Sequence, residues 1–246
     1  MAKLSAGIAF FLFLSLGLAS PSARADEGQV DVLLVLAADV SRSVDDKEFK
    51  LQREGFAAAL ADPRVLNVIT SGPTGRIAVA FVEWASEFEQ RVVVDWFLIA
   101  GERDAQELSQ RILAAPRSFW GRTSISAAIE FSLALMERSP FQSDRQVIDV
   151  SGDGTNNSGA DVTTVRDAAL AKGVTINGLV ILSDEPLPTN PTHTHPPGGL
   201  KVYYERYVIG GPGAFVVEAQ GFESFGQSII QKLIKEIAAL AGPDRS

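Results

Sequence analysis

Val32-Leu33-Leu34-Val35-Leu36-Ala37-Ala38-Asp39-Val40-Ser41-Arg42-Ser43 is the stretch on which the reading of this chain turns. Residues 32–38 are apolar, aliphatic and few, so they read as a strand buried on both faces, as in a parallel sheet. Asp39, Ser41 and Ser43 follow at alternate positions, which puts a carboxylate and two hydroxyls at the strand's carboxyl end. Open α/β sheets bind their ligands at that edge. Two later segments bring oxygen groups to the same kind of boundary. Gly121-Arg122-Thr123-Ser124 opens a helix, and Ser151-Gly152-Asp153-Gly154 closes a second apolar strand over residues 146–150. Asp39, Ser41, Ser43, Thr123 and Asp153 are all oxygen donors, the ligand chemistry of a hard cation such as Mg²⁺ or Mn²⁺.

The Asp-x-Ser-x-Ser run at residues 39–43, the downstream Thr123 and the later Asp153 resemble the metal-ion-dependent adhesion site of von Willebrand factor A domains. Three further runs resemble one bacterial exported subgroup of that family, a domain of unknown function. They are Ala80-Phe81-Val82-Glu83-Trp84, Ile148-Asp149-Val150-Ser151-Gly152-Asp153-Gly154 and Val208-Ile209-Gly210-Gly211-Pro212-Gly213-Ala214-Phe215. The resemblance implies that the five oxygen residues hold the ion directly or through water. It also implies that one coordination position stays open for a carboxylate offered by a partner protein.

Residues 1–25 stand apart from the fold. Lys3, an apolar core over residues 8–18 and Ala23-Arg24-Ala25 form the pattern of a secretory signal peptide cut after Ala25. The core is about half the roughly 20 residues a spanning helix needs, so no membrane insertion is expected after cleavage. Residues 26–246 then form one domain in the periplasm or outside the cell. Losing Lys3 and Arg24 with a leader that holds no acid takes the net charge from −8 to −10. A chain this acidic, without basic clusters, is a poor candidate for nucleic acid or an anionic membrane. With no cysteine, disulfides and thiol catalysis are excluded.

Strand and helix signals alternate through the rest of the chain, the pattern of a mostly parallel sheet flanked by helices on both faces. Ser43 is placed as a helix N-cap with Asp45 and Asp46 in the first turn, and Asp62-Pro63 ends that helix. Residues 77–84 and 91–97 read as two strands joined by a short polar stretch, hence a hairpin with one antiparallel edge strand. Helices follow over residues 104–114, after Thr123, and from Asp161 to Lys172-Gly173. Residues 174–182 and 214–219 are further strands. Phe225, Ile229, Leu233 and Ile237 mark a closing amphipathic helix. Residues 183–199 carry five prolines and Thr192-His193-Thr194-His195, and read as a long, solvated surface loop.

Asn156 and Asn157 are placed to hold waters beyond the ligands or to orient Asp153. Ser151 lies two residues before Asp153 and shares its parity; Trp120 and Arg122 flank Thr123 on the recognition surface. Asp149, deeper in the strand, reads as a buried, hydrogen-bonded carboxylate. Two other readings compete with metal-dependent protein binding. Residues 152–157, Gly-Asp-Gly-Thr-Asn-Asn, resemble a metal motif of haloacid-dehalogenase-type phosphatases. Those enzymes need an acid two residues after Asp39, where this chain has Ser41, which cannot protonate a leaving group near neutral pH. The other alternative is a binding domain whose metal site is vestigial.

Overall fold

The computed structural model describes residues 28–238, so the leader expected at residues 1–25 lies outside the described residues. Six strands form one sheet: β1 (Leu33–Asp39), β2 (Ile77–Trp84), β3 (Gln90–Ile99), β4 (Gln146–Gly152), β5 (Thr175–Leu182) and β6 (Val216–Gln220). Their spatial order is β3-β2-β1-β4-β5-β6. Every neighbouring pair is parallel except β2 and β3, the hairpin at one edge.

The period of two in a strand explains the layers, because successive side chains point to opposite faces. Leu34, Leu36 and Ala38 of β1 meet Phe56 and Leu60 of α1 (Asp46–Leu60) and Phe225, Ile229 and Leu233 of α8 (Phe225–Ala238). That face also takes α2 (Pro63–Thr70) and α3 (Glu102–Ala114) through Ile69 and Leu108. Leu33, Val35 and Ala37 face the other way, toward α4 (Ile125–Glu137) and α5 (Val162–Ala171) through Ile125, Ile129, Val165 and Ala169. All seven residues of β1 are buried. Each leucine so removed from water contributes roughly 1.5–3 kcal/mol, so the central strand outweighs any local preference of its residues for turns.

Three local expectations are corrected. Ser43 is not the cap of α1. Asp45 is: it accepts from the Glu48 N–H at 2.8 Å while Glu48 accepts from the Asp45 N–H at 2.7 Å. The Ser43 hydroxyl instead donates to Asp153 Oδ1 at 2.7 Å. Pro63 does not merely end α1 but opens α2, with Asp62 as its cap, since a proline at the first helical position gives up no hydrogen bond. Residues 183–199 are not simply a solvated loop. They contain a single helical turn, α6 (Pro191–Thr194), whose His193 and Thr194 are buried. A second short helix, α7 (Leu200–Tyr203), follows and runs on into a π-helical turn over Tyr204–Val208. Among the described residues, no helix is long and apolar enough to cross a membrane.

β1 is the point where the sheet changes direction: the chain goes on to β2 at one side, while β4 lies at the other. Connections leaving β1 and β4 diverge there and open a crevice beyond their carboxyl ends. Ala38 pairs with Ser151, so Asp39 and Asp153 both emerge into that crevice.

Candidate metal centre

The loop behind Asp39 is held from three sides. Its first support is internal, the Ser41 N–H donating to Asp39 Oδ1 at 2.7 Å. The second is Arg117, whose Nη2 donates to the carbonyls of Val40, Ser41 and Val44 at 2.8, 2.9 and 2.8 Å. The third is Gln52, which reaches the Asp39 carbonyl from α1 at 3.2 Å. Thr123 arrives on an irregular stretch pinned at its end by the Ser124 N–H to the Ala85 carbonyl (2.8 Å) and the Thr123 N–H to Asn157 Oδ1 (3.0 Å). Ser124 caps α4 by accepting from the Ala127 N–H. Thr123 is thereby left pointing into the crevice.

A continuous file of polar atoms results. Thr123 Oγ1 lies 3.1 Å from Ser41 Oγ, Ser41 Oγ lies 3.2 Å from Ser43 Oγ, and Ser43 donates to Asp153. Asp39, Ser41, Thr123 and Asp153 are buried and Ser43 is half-buried. Neighbouring oxygens on an octahedral ion bonded at about 2.1 Å stand about 3 Å apart, so the hydroxyl spacing fits such an ion. A second sign of fit is Asp39 Oδ2, a buried carboxylate oxygen without a hydrogen-bond partner among the described residues. Buried polar atoms without a partner are few in native proteins, and an ion bound here would satisfy this one.

The electrostatics point the same way. Burial first, and then the charge of Asp153, push the Asp39 carboxyl well above its ordinary range, against the Ser41 hydrogen bonds and a weaker pull from Arg117. Burial also raises Asp153, to about 6, against the Ser43 hydroxyl. Two carboxylates are thus kept out of water, with Arg117 only a weak counter-charge to Asp39. Among the described residues no three His, Cys, Asp or Glu side chains cluster; the donor set is mostly hydroxyl.

The residues expected around this core separate into two groups. Asn157 lies against it: Oδ1 takes the Thr123 N–H, and Arg122 donates from Nη2 to the Asn157 carbonyl at 2.7 Å. Asn156 does other work, accepting from the Ser126 N–H and donating to the Ala160 carbonyl, which ties its loop to α4. Ser151 turns to the Ala37 carbonyl of β1 at 3.4 Å and stays under the site. Trp120 is 57% exposed and lies beneath the Arg117 guanidinium, 5.1 Å from ring to charge.

Three residues stand at the site that were not assigned to it from the sequence. Arg117 is one. His193, expected in a solvated loop, is the second, its Nε2 3.3 Å from Thr123 Oγ1 and its Nδ1 3.3 Å from both Thr155 Oγ1 and Asn157 Nδ2. Burial lowers its pKa. Its ring occupies the space a side chain at Gly154 would need. The third is Tyr204, fully buried, whose hydroxyl has no partner among the described residues. A Cβ on Gly152 would come within 2.8 Å of that hydroxyl and 3.0 Å of Asp39 Oδ2, so glycine is required where β4 passes between them.

The family model described as "Protein of unknown function (DUF1194)" matches residues 29–241, and the chain belongs to that family. None of the curated proteins compared matches it. Among solved structures it is similar to the pilus adhesin SpaC of Lactobacillus rhamnosus GG, at a TM-score of 0.60 and 11% identity. A von Willebrand factor type A protein of Catenulispora acidiphila gives 0.57 and 14%. Proximal thread matrix protein 1 of the mussel byssus, solved with a zinc-occupied MIDAS motif, gives 0.52 and 14%. These matches cover 85%, 85% and 86% of this chain but only 31%, 43% and 46% of the others. The chain therefore spans less than half of each, and what it shares with them is the von Willebrand A fold.

Proposed function

We propose that this is an exported protein-binding module that captures its partner through a divalent ion, Mg²⁺ or Mn²⁺, and is not an enzyme. The observation that carries the reading is the buried pair Asp39 and Asp153, lined by Ser41, Ser43 and Thr123 at octahedral spacing, with Asp39 Oδ2 unpartnered. Asp39, Ser41, Ser43, Thr123 and Asp153 would hold the ion, directly or through water. Two carboxylates and three neutral hydroxyls fill at most five of the six positions around an octahedral ion, and a partner's carboxylate takes the position left open. Asn157 holds the Thr123 N–H, and Arg122 holds Asn157. The zinc-occupied MIDAS motif of the mussel protein, which shares the fold, supports a divalent ion. The leader ending at Ala25 sends the module to the periplasm or beyond.

Catalysis has no acid to work with at the phosphatase position, since Ser41 stands there. The test is capture of an envelope protein by purified protein in Mg²⁺, with and without chelator. Chelator-sensitive capture that disappears in Thr123→Ala is the expected result. Hydrolysis of phosphate monoesters that depends on Asp39 would sink the reading.

A further inference from the structure

The proposed ion lies between two cavities of opposite charge, and that placement specifies its ligand. One cavity, of about 270 Å³, lies over Ser43 and Thr123 and is lined by Arg42, Arg122, Asn190 and His193, with no carboxylate among the described lining residues. The other, of about 380 Å³, shares Ser43 and reaches Asp153. Its remaining charged groups are Glu48, Asp184, Glu185 and Glu223, with no Lys or Arg among the described lining residues. Lys47, outside the wall, pairs with Glu223 at 2.8 Å and offsets one of the four. Leu187 borders both cavities, so the proline-rich loop divides the surface above the ion.

Hydrogen bonding fixes what His193 presents to the first cavity. Asn157 Oδ1 is taken by the Thr123 N–H, which turns its Nδ2–H toward His193 Nδ1. Nδ1 therefore accepts, and in a neutral imidazole the proton belongs to Nε2. That Nε2–H faces Thr123 Oγ1 and continues the file of hydroxyls in one direction, His193 to Thr123 to Ser41 to Ser43 to Asp153. The His193 Nε2–H thus fixes Thr123 in place, and an anion arriving over Thr123 meets two guanidinium groups and the ion.

We infer that the ligand is a protein segment in which an acidic side chain has a basic one close beside it. The carboxylate lies over Ser43 and Thr123 on the Arg42, Arg122 and His193 side. The basic side chain enters the cavity of Glu48, Asp184, Glu185 and Glu223. This rests on the ion-dependent binding proposed above, because Asp39 and Asp153 neutralise a divalent ion and leave the arginines as the excess charge at the carboxylate. A uniformly acidic segment satisfies one cavity and is repelled by the other, which is how like charge excludes wrong partners.

The test is selection of a random displayed peptide library on the immobilised protein in Mg²⁺, with elution by chelator. Eluted peptides should pair an Asp or Glu with a neighbouring Lys or Arg. The double variant Arg42→Glu/Arg122→Glu should lower recovery about tenfold or more. The double variant Asp184→Lys/Glu185→Lys, on an exposed loop, should keep the acidic residue in the eluted pool and lose the basic one. Equal melting temperatures of variants and wild type show that folding is intact. Chelator-eluted peptides rich in acid, with no basic preference in either background, overturn the two-cavity inference and leave ion-dependent binding standing. A library that yields no chelator-eluted peptide overturns that binding, and this inference with it.

Discussion

Strand β4 serves two pairs of buried carboxylates, and the protein treats them oppositely. Asp149, in the middle of the strand, faces Lys232 of α8, whose Nζ stands 2.7 Å from Asp149 Oδ1 and also pairs with Glu236. Asn177 donates to Glu236 at 2.8 Å. Asp153, just beyond the strand's end, and Asp39 are buried too, yet their hydrogen bonds come from the Ser43 hydroxyl and the Ser41 N–H. A buried carboxylate pair that serves the fold carries its cation with it, because an uncompensated charge in the interior is costly. Among the described residues the pair at the end of the strand has no ammonium or guanidinium bonded to it, and in the proposed function an ion from outside takes that place.

The largest effect expected from this contrast is at Lys232. Lys232→Met leaves Asp149 and Glu236 buried without their ammonium and should cost about 3–5 kcal/mol in chemical denaturation. Adding Asp149→Asn and Glu236→Gln should recover most of that loss. Asp39→Asn in ion-free protein should have the opposite character, near neutral or stabilising, since it removes a charge the fold does not compensate. Equal losses at both places would erase the contrast. The direction of pH dependence follows from the same cluster. Burial and then Glu236, against Lys232, raise Asp149 to about 7, so the folded state holds a proton the unfolded chain releases near 4. Its contribution is fully present below about 4 and is lost as pH rises through about 7. Asp149→Asn should flatten stability across that window.

Next in size is the ion itself. At about 100 times its dissociation constant, Mg²⁺ or Mn²⁺ should stabilise the fold by roughly 2.7 kcal/mol, read as a raised melting temperature. Asp39→Ala should abolish the shift. Lys232→Met should melt lower and keep the full shift, because its cation serves the other pair. A shift that survives Asp39→Ala places the ion elsewhere.

How much of this was legible follows from how local each signal is. The strand at residues 33–39 and the hydroxyls behind it announce themselves within a dozen residues, since burial and alternation are written into adjacent positions. The closing helix was equally plain from Phe225, Ile229, Leu233 and Ile237, all of them buried. Lys232 and Glu236 lie in the same helix and are as deeply buried, yet both residue types usually face water. Only Asp149, an acid inside an apolar strand, hinted that a cation had to come from somewhere. The true cap of α1 was masked because Ser43 and Asp45 both suit the position, and the choice is made by Asp153, more than a hundred residues away. Arg117 gave no signal of its own, and the proline-rich context of His193 read as solvated loop, because each acts across a long separation in sequence on a backbone or hydroxyl group.

The smallest expected effect tests whether the loop with His193 belongs to the site or only covers it. The two histidines of that loop make a natural pair, one buried beside Thr123, the other exposed. His193 makes ring contacts of 3.3 Å, long for hydrogen bonds, and neutral bonds of this kind contribute about 0.5–1.5 kcal/mol each. His193→Ala should therefore cost about 1–2 kcal/mol, and His195→Ala within about 0.5 kcal/mol. Stability alone does not separate a cover from a component, but amide exchange does. The Thr155 N–H donates to the His193 carbonyl at 3.0 Å, so its exchange reports whether the loop stays seated on the site. An ion that orders Thr123 and the hydroxyl file should slow exchange at Thr155 in wild type and in His195→Ala, and much less in His193→Ala. If the ion slows Thr155 equally in all three proteins, the imidazole is packing, and the contrast between the two carboxylate pairs stands without it.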